Sequence, residues 1–218
     1  MTDQIVHSSK SITLLGGGEA RAADLAEALS LAPRLICADG GAVRALELGY
    51  EPDAVFGDLD SLPEDVAARL PDGVLRRVEE QDSTDFDKTL RHVSAPLILA
   101  AGFLGGRMDH ALANCTILVR RADRPCILIG SDDVICAARP EMALNLPVGS
   151  RLSLFPLAPV SGFSEGLEWP ISGIGFSPDG RIGTSNRVTG PVRLAFDAPG
   201  MLLVLPRAAL GAMIAAIT

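Results

Sequence analysis

The feature that most constrains the fold is an alternation of short apolar runs with amphipathic stretches over the first 135 residues. The apolar runs predict strands at 11–15, 34–38, 54–56, 74–78, 97–101 and 127–129. The stretches between them predict helices at 22–30, 41–48, 63–70, 84–92 and 109–121. Continuous apolar runs of this length are typical of strands buried on both faces. The alternation therefore predicts an α/β fold, with a mainly parallel sheet flanked by helices.

The pattern changes from Pro140 onward, where Gly, Pro, Ser and Asn separate shorter apolar runs. Four of these runs lie at 151–155, 174–176, 192–196 and 201–205. Residues 177–180 read Ser-Pro-Asp-Gly, a turn in which Pro presets φ and Gly accepts a positive φ. This part predicts a small antiparallel β-sandwich or barrel, of which we take the sandwich. We place the boundary near 138–145, which gives an α/β domain at 1–139 and a β-sandwich at 140–218. The last segment, 207–217, fits either a helix or a strand.

The charge is unevenly distributed, because residues 1–139 carry 22 acidic and 14 basic side chains and thus the whole net charge of −8. Such a chain is poorly suited to nucleic acid, which requires clustered cations, and well suited to collecting carboxylates around metal ions. The longest apolar run is too short to cross a bilayer, and the N-terminal residues lack an apolar signal core. We therefore expect a cytoplasmic protein without a membrane partner. The four cysteines form no CxxC pair, which is typical of buried thiols in a reducing compartment.

Two segments with glycine and aspartate follow predicted strands, where open α/β sheets bind ligands. In the first, Asp39 precedes Gly40 and Gly41, which allow close backbone approach to an anion at the start of a helix. The alternative is a tight turn in which Asp39 caps that helix. In the second, Asp58 and Asp60 form a DxD pair that can direct two carboxylates at one Mg²⁺ ion. The alternative is an acidic turn.

Two further segments follow the next predicted strands. The segment 81–88 reads QDSTDFDK and contains Asp82, Thr84, Asp85 and Lys88. Ser83 or Thr84 can cap the following helix, and the lysine can reach a phosphate held near the carboxylates or pair with Asp85 as a solvated residue. The segment 102–110 reads GFLGGRMDH. Its glycines, which include Gly105 and Gly106, can turn backbone N–H groups toward an anion, Arg107 offers a planar fork for phosphate, and Asp109 opens the next helix.

Several other chemistries lack their sequence patterns. No serine lies in a G-x-S-x-G elbow, and the Walker A pattern is absent. The triplet Gly16-Gly17-Gly18 resembles a nucleotide loop, but Arg21 stands where a dinucleotide fingerprint requires its last glycine. His110 is either a base or a polar residue at a helix start.

Taken together, ADGGA (38–42), GDLDS (57–61), QDSTDFDK (81–88) and GGRMDH (105–110) resemble the thiamine pyrophosphokinase family in order and spacing. The segments GLEW (166–169) and GTSN (183–186) also resemble the thiamine-binding region of that family. The resemblance extends from about residue 12 to 205. Two positions depart from the pattern: Val43 stands where the family often has Asn, and Glu80 where it often has Asp.

The resemblance implies transfer of a pyrophosphoryl group from ATP to the hydroxyl of thiamine, with release of AMP. It also implies Mg²⁺ as cofactor and a homodimer with sites at the subunit interface. On this reading Mg²⁺ is held by Asp58, Asp60 and Asp82. Phosphate charge is stabilised by Lys88 and Arg107, while Asp82 or Asp109 orients or deprotonates the thiamine hydroxyl. The expected nucleotide-binding residues are Asp39, Gly40, Gly41, Thr84, Asp85, Gly105 and Gly106.

For thiamine itself, the ring of Trp169 is expected to stack on the cationic substrate, and Ser185 and Asn186 to bond its pyrimidine ring. The alternatives are a core aromatic and a polar β-turn. Three other functions remain open at this point. They are a pyrophosphokinase for another acceptor such as a pterin alcohol, a glycosyltransferase with a DxD motif, and a non-catalytic sensor of thiamine or a nucleotide.

Overall fold

The computed structural model describes residues 6–59, 62–78 and 82–218, and these residues group into two compact units. The first unit comprises residues within 1–117 and 128–131, and the second comprises 118–127 and 132–218. No helix in the described ranges is long and apolar enough to cross a membrane.

The first unit is built on parallel strands. Its strands are β1 (Val6–His7), β2 (Ile12–Leu15), β3 (Arg34–Ala38), β4 (Ala54–Gly57), β5 (Leu75–Arg77), β6 (Val93–Ser94) and β7 (Ile98–Ala101). Five of them form one parallel series in the order β7-β2-β3-β4-β5, and β1 pairs with β6, also in parallel. Strands β2, β4 and β7 are buried along their whole length, which explains why their sequences are apolar without alternation.

Five helices connect these strands. They are α1 (Ala22–Leu31), α2 (Gly41–Glu47), α3 (Glu64–Ala67), α4 (Asp85–His92) and α5 (Met108–Arg120). Helix α1 packs on β2 and β7, α2 on β3 and β2, and α4 on β4 and β3. The apolar core includes Leu15, Leu25, Leu35, Val55 and Val66, all of which are buried. Helix α5 and strand β8 (Cys126–Ile129) run across the division between the units.

The second unit is antiparallel. Its strands are β9 (Asp133–Ala137), β10 (Glu141–Leu144), β11 (Arg151–Pro156), β12 (Val160–Leu167), β13 (Gly175–Phe176), β14 (Gly183–Phe196) and β15 (Met201–Pro206). They run in the order β13-β12-β14-β11-β15-β9, and β10 also pairs with β14. A 3₁₀ turn (Arg207–Ala209) leads into the last helix, α6 (Leu210–Ile217), which packs on β9, β10 and β15.

The expected α/β class is confirmed. Strand pairing is mixed, because it is parallel in the first unit and antiparallel in the second. All five predicted helices are present, and segment 207–217 is helical. The turn at 177–180 also forms, since the Gly180 N–H donates to the Ser177 carbonyl at 3.1 Å. The positive φ expected of Gly180 was wrong, because this glycine is not among those in the left-handed region.

Candidate active site

A cleft of about 780 Å³ opens in the first unit where the loops after its parallel strands meet. Loops that follow β2, β3, β4 and β7, together with the start of α4, form its walls. This is the edge at which open α/β sheets bind ligands. The lining residues are Gly16, Gly17, Gly18, Glu19, Ala38, Asp39, Gly40, Asp58, Ser83, Thr84, Asp85, Phe86, Lys88, Gly102, Phe103, Gly105, Gly106, Arg107, His110 and Asn114.

Lys88 is the most unusual residue of the cleft, since its side chain is only 3% exposed. Its ammonium lies 3.4 Å from Asp58 Oδ2 and 3.3 Å from Asp85 Oδ1. A buried ammonium is costly unless charged partners compensate it, and these two carboxylates do so. The pairing with Asp85 that the alternative reading expected is present, but Lys88 is buried and not solvated. The cleft holds a fixed positive charge between two carboxylates.

The start of α4 places this lysine. The side-chain oxygen of Thr84 accepts the N–H of Asp87 at 3.2 Å and so caps the helix. Lys88 lies one turn further along, where its own N–H donates to the Thr84 carbonyl. Phe86 packs against Phe103 with ring centroids 4.6 Å apart. This contact joins the start of α4 to the loop that follows β7.

The loop after β7 depends on glycine backbone geometry. Gly102, Gly105 and Gly106 all have positive φ values, of 77°, 86° and 63°. A Cβ on Gly102 would also lie 2.6 Å from the Gly16 carbonyl oxygen, so a side chain is excluded there. The buried amide of Asn114 donates from Nδ2 to the Phe103 carbonyl at 2.8 Å and ties this loop to α5. These features fix the path of the loop between Gly102 and Gly106 beside the cleft.

The turn between β3 and α2 is equally tight. A Cβ on Gly41 would lie 2.1 Å from the Leu15 carbonyl oxygen, so only glycine fits at this position. Asp39 has a φ of +39° and is buried. The residue that caps α2 is Gly40, without a side-chain bond, and not Asp39. The turn brings backbone close to the cleft, as the sequence predicted for this segment.

Arg107 and Asp109 form an exposed ion pair at the rim of the cleft. Arg107 Nη2 lies 2.5 Å and Nε 3.2 Å from the two carboxylate oxygens of Asp109. The hydrogen bonds from Arg107 lower the pKa of Asp109 to about 2, against a usual value near 3.9. The same pair raises the pKa of Arg107. Asp109 is consequently ionised at neutral pH.

We predict that Arg107→Gln raises the pKa of Asp109 toward its usual value, because the guanidinium that stabilises its carboxylate is lost. A depressed carboxylate pKa stabilises the fold above the unfolded pKa, and this contribution disappears as the pH falls toward about 2. A carboxyl NMR titration measures the change directly. Arg69→Gln, a substitution of another exposed arginine of this unit, is the control and should leave Asp109 unchanged. An unshifted pKa in Arg107→Gln contradicts the assignment.

The oxygen donors in the cleft suit a Mg²⁺ ion that is only partly bound by protein. Asp58 and Asp85 both lie within 3.4 Å of the Lys88 ammonium, and both remain accessible, with side chains 20% and 44% exposed. Mg²⁺ commonly takes one or two carboxylates and completes its shell with water and substrate phosphates. Within the described residues, no group of three or more acidic, His or Cys side chains is arranged to hold a metal ion. The donor set thus fits an ion that arrives with a nucleotide.

The structure brings most of the predicted residues into this cleft, namely Asp39, Gly40, Asp58, Thr84, Asp85, Lys88, Gly105, Gly106 and Arg107. Gly41 lies directly behind the lining, against Leu15. Asp82 and Asp109 are exposed and do not contribute to the lining that the described residues form. Asp60 lies outside the described residues.

Comparison with known proteins assigns the family. A model described as the thiamin pyrophosphokinase catalytic domain matches residues 25–129. Thiamine pyrophosphokinase 1 of Arabidopsis thaliana is 32% identical, with 70% of each chain covered. The chain belongs to the thiamine pyrophosphokinase family. Thiamine pyrophosphokinase 1 of Oryza sativa subsp. japonica is 29% identical, with 75% of each chain covered.

Solved structures of the family agree with this fold. Thiamin pyrophosphokinase from Geobacillus thermodenitrificans superimposes with a TM-score of 0.71 at 25% identity, covering 89% of this chain and 96% of that one. Thiamin pyrophosphokinase from Candida albicans superimposes with a TM-score of 0.74 at 17% identity, covering 93% and 94%. The second likeness shows the fold alone.

The second unit contains the remaining predicted residues of a thiamine pyrophosphokinase. A pocket of about 350 Å³ is lined by Trp169, Ile171, Phe176 and Asn186, among others. Trp169 is 54% exposed, so the alternative reading of this residue as a core aromatic is wrong. Ser185 is not among the lining residues and has a φ of +60°. An accessible indole at the mouth of a largely apolar pocket suits a flat heterocyclic ligand.

Three features of the cleft were missed or set aside in the sequence. The triplet Gly16–Gly18 lines the cleft although it lacks a dinucleotide fingerprint, and its position directly after a buried strand was the available signal. Asn114 lies in no motif and Phe103 has no assigned role within the segment 102–110, because each acts through a contact with a residue distant in the sequence. His110, which the sequence left open, lines the cleft as well.

Proposed function

We propose that this chain transfers the pyrophosphoryl group of ATP to the hydroxyl of thiamine, giving thiamine diphosphate and AMP. The observation that carries the proposal is the buried Lys88 ammonium, held between Asp58 and Asp85 in a cleft with a glycine-rich wall. Membership of the family supports the acceptor and the reaction. In the transfer, the thiamine oxygen attacks the β-phosphorus, and the bond from that phosphorus to the oxygen it shares with the α-phosphorus breaks. AMP leaves with that oxygen.

The triphosphate is proposed to lie along the glycine-rich wall. Gly40, Gly105 and Gly106 line this wall, where backbone N–H groups can bond an anion, and Arg107 and Lys88 supply positive charge. Catalysis of such a transfer depends mostly on positioning and on neutralising charge at the phosphate oxygens. Because Lys88 is fixed by two carboxylates, its charge needs little rearrangement when the reaction occurs. Asp39, Gly41 and Thr84 shape the same wall.

Asp58 is the metal ligand that the cleft supports best, and Asp85 is a second carboxylate at the same place. When bound, Mg²⁺ neutralises and orients the phosphate oxygens. We propose Asp60 and Asp82 as further ligands on the resemblance of their motifs. The thiamine hydroxyl must lose its proton to a base. A carboxylate with a pKa of about 2 is a weak base at neutral pH, which counts against Asp109 in this role.

For thiamine, we propose that Trp169 stacks on the cationic substrate and that Ser185 and Asn186 belong to the same region. We further propose that residues 1–139 are a mainly parallel α/β catalytic domain and that 140–218 are a thiamine-binding β-sandwich. The parallel pairing of β2 with β3 and the antiparallel pairing of β12 with β14 support a division of the chain into two parts. Strand β9 (Asp133–Ala137) precedes the proposed boundary but pairs with β15 of the second part. A homodimer and a cytoplasmic location stay predictions of the resemblance.

The proposal predicts that AMP, and not ADP, accumulates when the protein is mixed with ATP, Mg²⁺ and thiamine. AMP should form in a 1:1 ratio with thiamine diphosphate and only in the presence of thiamine. Chromatographic separation of the nucleotides measures both products. Parallel reactions with a hydroxymethyl pterin and without any acceptor test the other pyrophosphokinase and the sensor. ADP as product, or AMP release that does not depend on thiamine, contradicts the proposal.

A further inference from the structure

The side-chain amide of Asn186 is bonded to both backbone polar groups of Trp169. Its Nδ2 donates to the Trp169 carbonyl at 2.7 Å, and its Oδ1 accepts the Trp169 N–H at 3.2 Å. Oδ1 also accepts the Arg187 N–H at 2.8 Å. An asparagine amide can make about four hydrogen bonds, so three of them are used to hold protein backbone. Asn186 is also buried, at 8% exposure.

The contact lies where the ladder between β12 and β14 ends. The last paired residues are Leu167 and Val188, and beyond them the Glu168 N–H still donates to the Arg187 carbonyl. For Trp169 the amide of Asn186 takes the place of the next backbone peptide, because it offers the same donor and acceptor. Pro170 follows and restricts Trp169 to an extended backbone. Trp169 is therefore fixed from two sides although β12 has ended.

The direction of Asn186 is itself supported from β11. A bulge interrupts the pairing of β11 with β14 between Leu152 and Leu154, and a bulge re-aims neighbouring side chains. The buried hydroxyl of Ser153, at this bulge, accepts the Ser185 N–H at 2.9 Å. Ser185 has a φ of +60°, a conformation costly for a residue with a side chain. The structure thus maintains a strained residue directly before Asn186.

We propose that Asn186 is a positioning residue that sets the place of the Trp169 indole for the acceptor, and not a residue that bonds the acceptor itself. The inference rests on the proposed function in taking thiamine as the ligand of Trp169. It replaces the sequence-based expectation that Asn186 bonds the pyrimidine ring. The proposal is based on two observations: the Asn186 amide makes three hydrogen bonds to the backbone, and little of its surface is exposed.

The first experiment needs no ligand, because Trp169 is the only tryptophan of the chain and reports on itself. In Asn186→Ala, the fluorescence anisotropy of the indole should fall and quenching by acrylamide should rise, since the backbone of Trp169 is released. Asn145→Ala, which alters an exposed asparagine of the same unit, is the matched control and should leave both signals unchanged. Unchanged anisotropy in Asn186→Ala overturns the proposal.

The second experiment separates positioning from direct binding. We expect Asn186→Ala to raise the KM for thiamine about tenfold, the loss of roughly one well-placed cation–π contact, with kcat and the KM for ATP close to wild type. Asn186→Asp keeps the acceptor and the shape but loses the donor to the Trp169 carbonyl, and it should reproduce the effect. This second variant, with a thermal unfolding scan of each protein, covers the case in which the alanine variant does not fold.

A double-mutant comparison gives the decisive result. If Asn186 acts through the indole, Trp169→Ala combined with Asn186→Ala should have the same thiamine KM as Trp169→Ala alone. Additive increases in KM overturn the proposal, because they show an independent contact with the acceptor. If Trp169→Ala alone leaves the thiamine KM unchanged, the proposed role of the indole fails, whereas the anisotropy still reports whether Asn186 holds it.

Discussion

Replacing Lys88 by methionine is expected to lower kcat by about 10²- to 10³-fold, the usual cost of removing one fixed donor from a charge-stabilising site. The ammonium lies within 3.4 Å of Asp58 and Asp85, so its position is set before any phosphate arrives. Methionine keeps much of the length and volume of the side chain but carries no charge. The substitution therefore tests the charge more than the packing. Steady-state kinetics with ATP and thiamine measure the effect.

The chain offers a matched control for this variant, because Lys10 is its only other lysine and is exposed. Lys10→Met should have the kinetics of the unaltered protein. The fold should tolerate Lys88→Met, since the two carboxylates left behind are partly exposed and can be solvated. Turnover in Lys88→Met within about threefold of the unaltered protein would exclude Lys88 from the stabilisation of the transferred group.

Strands buried on both faces are the elements that the sequence predicted best. The apolar runs locate β2, β3, β4 and β7 closely, because strands buried on both faces have an unbroken apolar sequence. The same rule failed for β10 and β12, which alternate exposed and buried residues and include glycine or charge. Strand β14 is 14 residues long and contains Gly190 and Pro191, residues that a sequence-based reading takes as a break.

The candidate site was predictable as a set of loops but not as a set of contacts. Segments after successive strands converge at one edge of a parallel sheet, and this topological rule places Asp58, Asp85 and Arg107 in one cleft. Burial of Lys88 could not be read from a helix with polar neighbours, because it depends on how α4 packs on β3 and β4. The pairing of Arg107 with Asp109 could not be predicted either, because it depends on the side-chain rotamers of both residues.

Two contacts that the sequence analysis did not predict share a physical cause. Asn186 lies in a motif associated with substrate, yet its amide is used by the Trp169 backbone, which becomes its neighbour only when β12 and β14 pair. Asn114 is similar, since its bond to the Phe103 carbonyl joins residues 11 positions apart. A side chain that satisfies distant backbone leaves no periodicity or spacing in the sequence. Such residues are found only from coordinates.

Replacing Asp58 by asparagine is expected to lower kcat by about 10²-fold or more, because the metal ion that this carboxylate would hold supplies several kcal/mol of charge stabilisation in the transition state. Asparagine has the same shape but a neutral oxygen, so it binds Mg²⁺ weakly. The Mg²⁺ concentration for half-maximal activity should rise in parallel. Activity measured over a range of Mg²⁺ concentrations at fixed ATP separates this change from a loss of ATP binding.

Asp58→Asn should destabilise the fold more than Lys88→Met does. Asp58→Asn leaves the 3% exposed ammonium of Lys88 with Asp85 as its remaining carboxylate at this place, and an undercompensated buried charge is destabilising. We therefore expect a lower melting temperature for Asp58→Asn than for Lys88→Met. Asp72→Asn, at an exposed turn of the same unit, is the control for both measurements. An unchanged Mg²⁺ dependence together with an unchanged kcat in Asp58→Asn would exclude this residue from the metal site. It would also contradict the proposal that the phosphate charge is neutralised by a metal ion held at Asp58 together with the Lys88 ammonium.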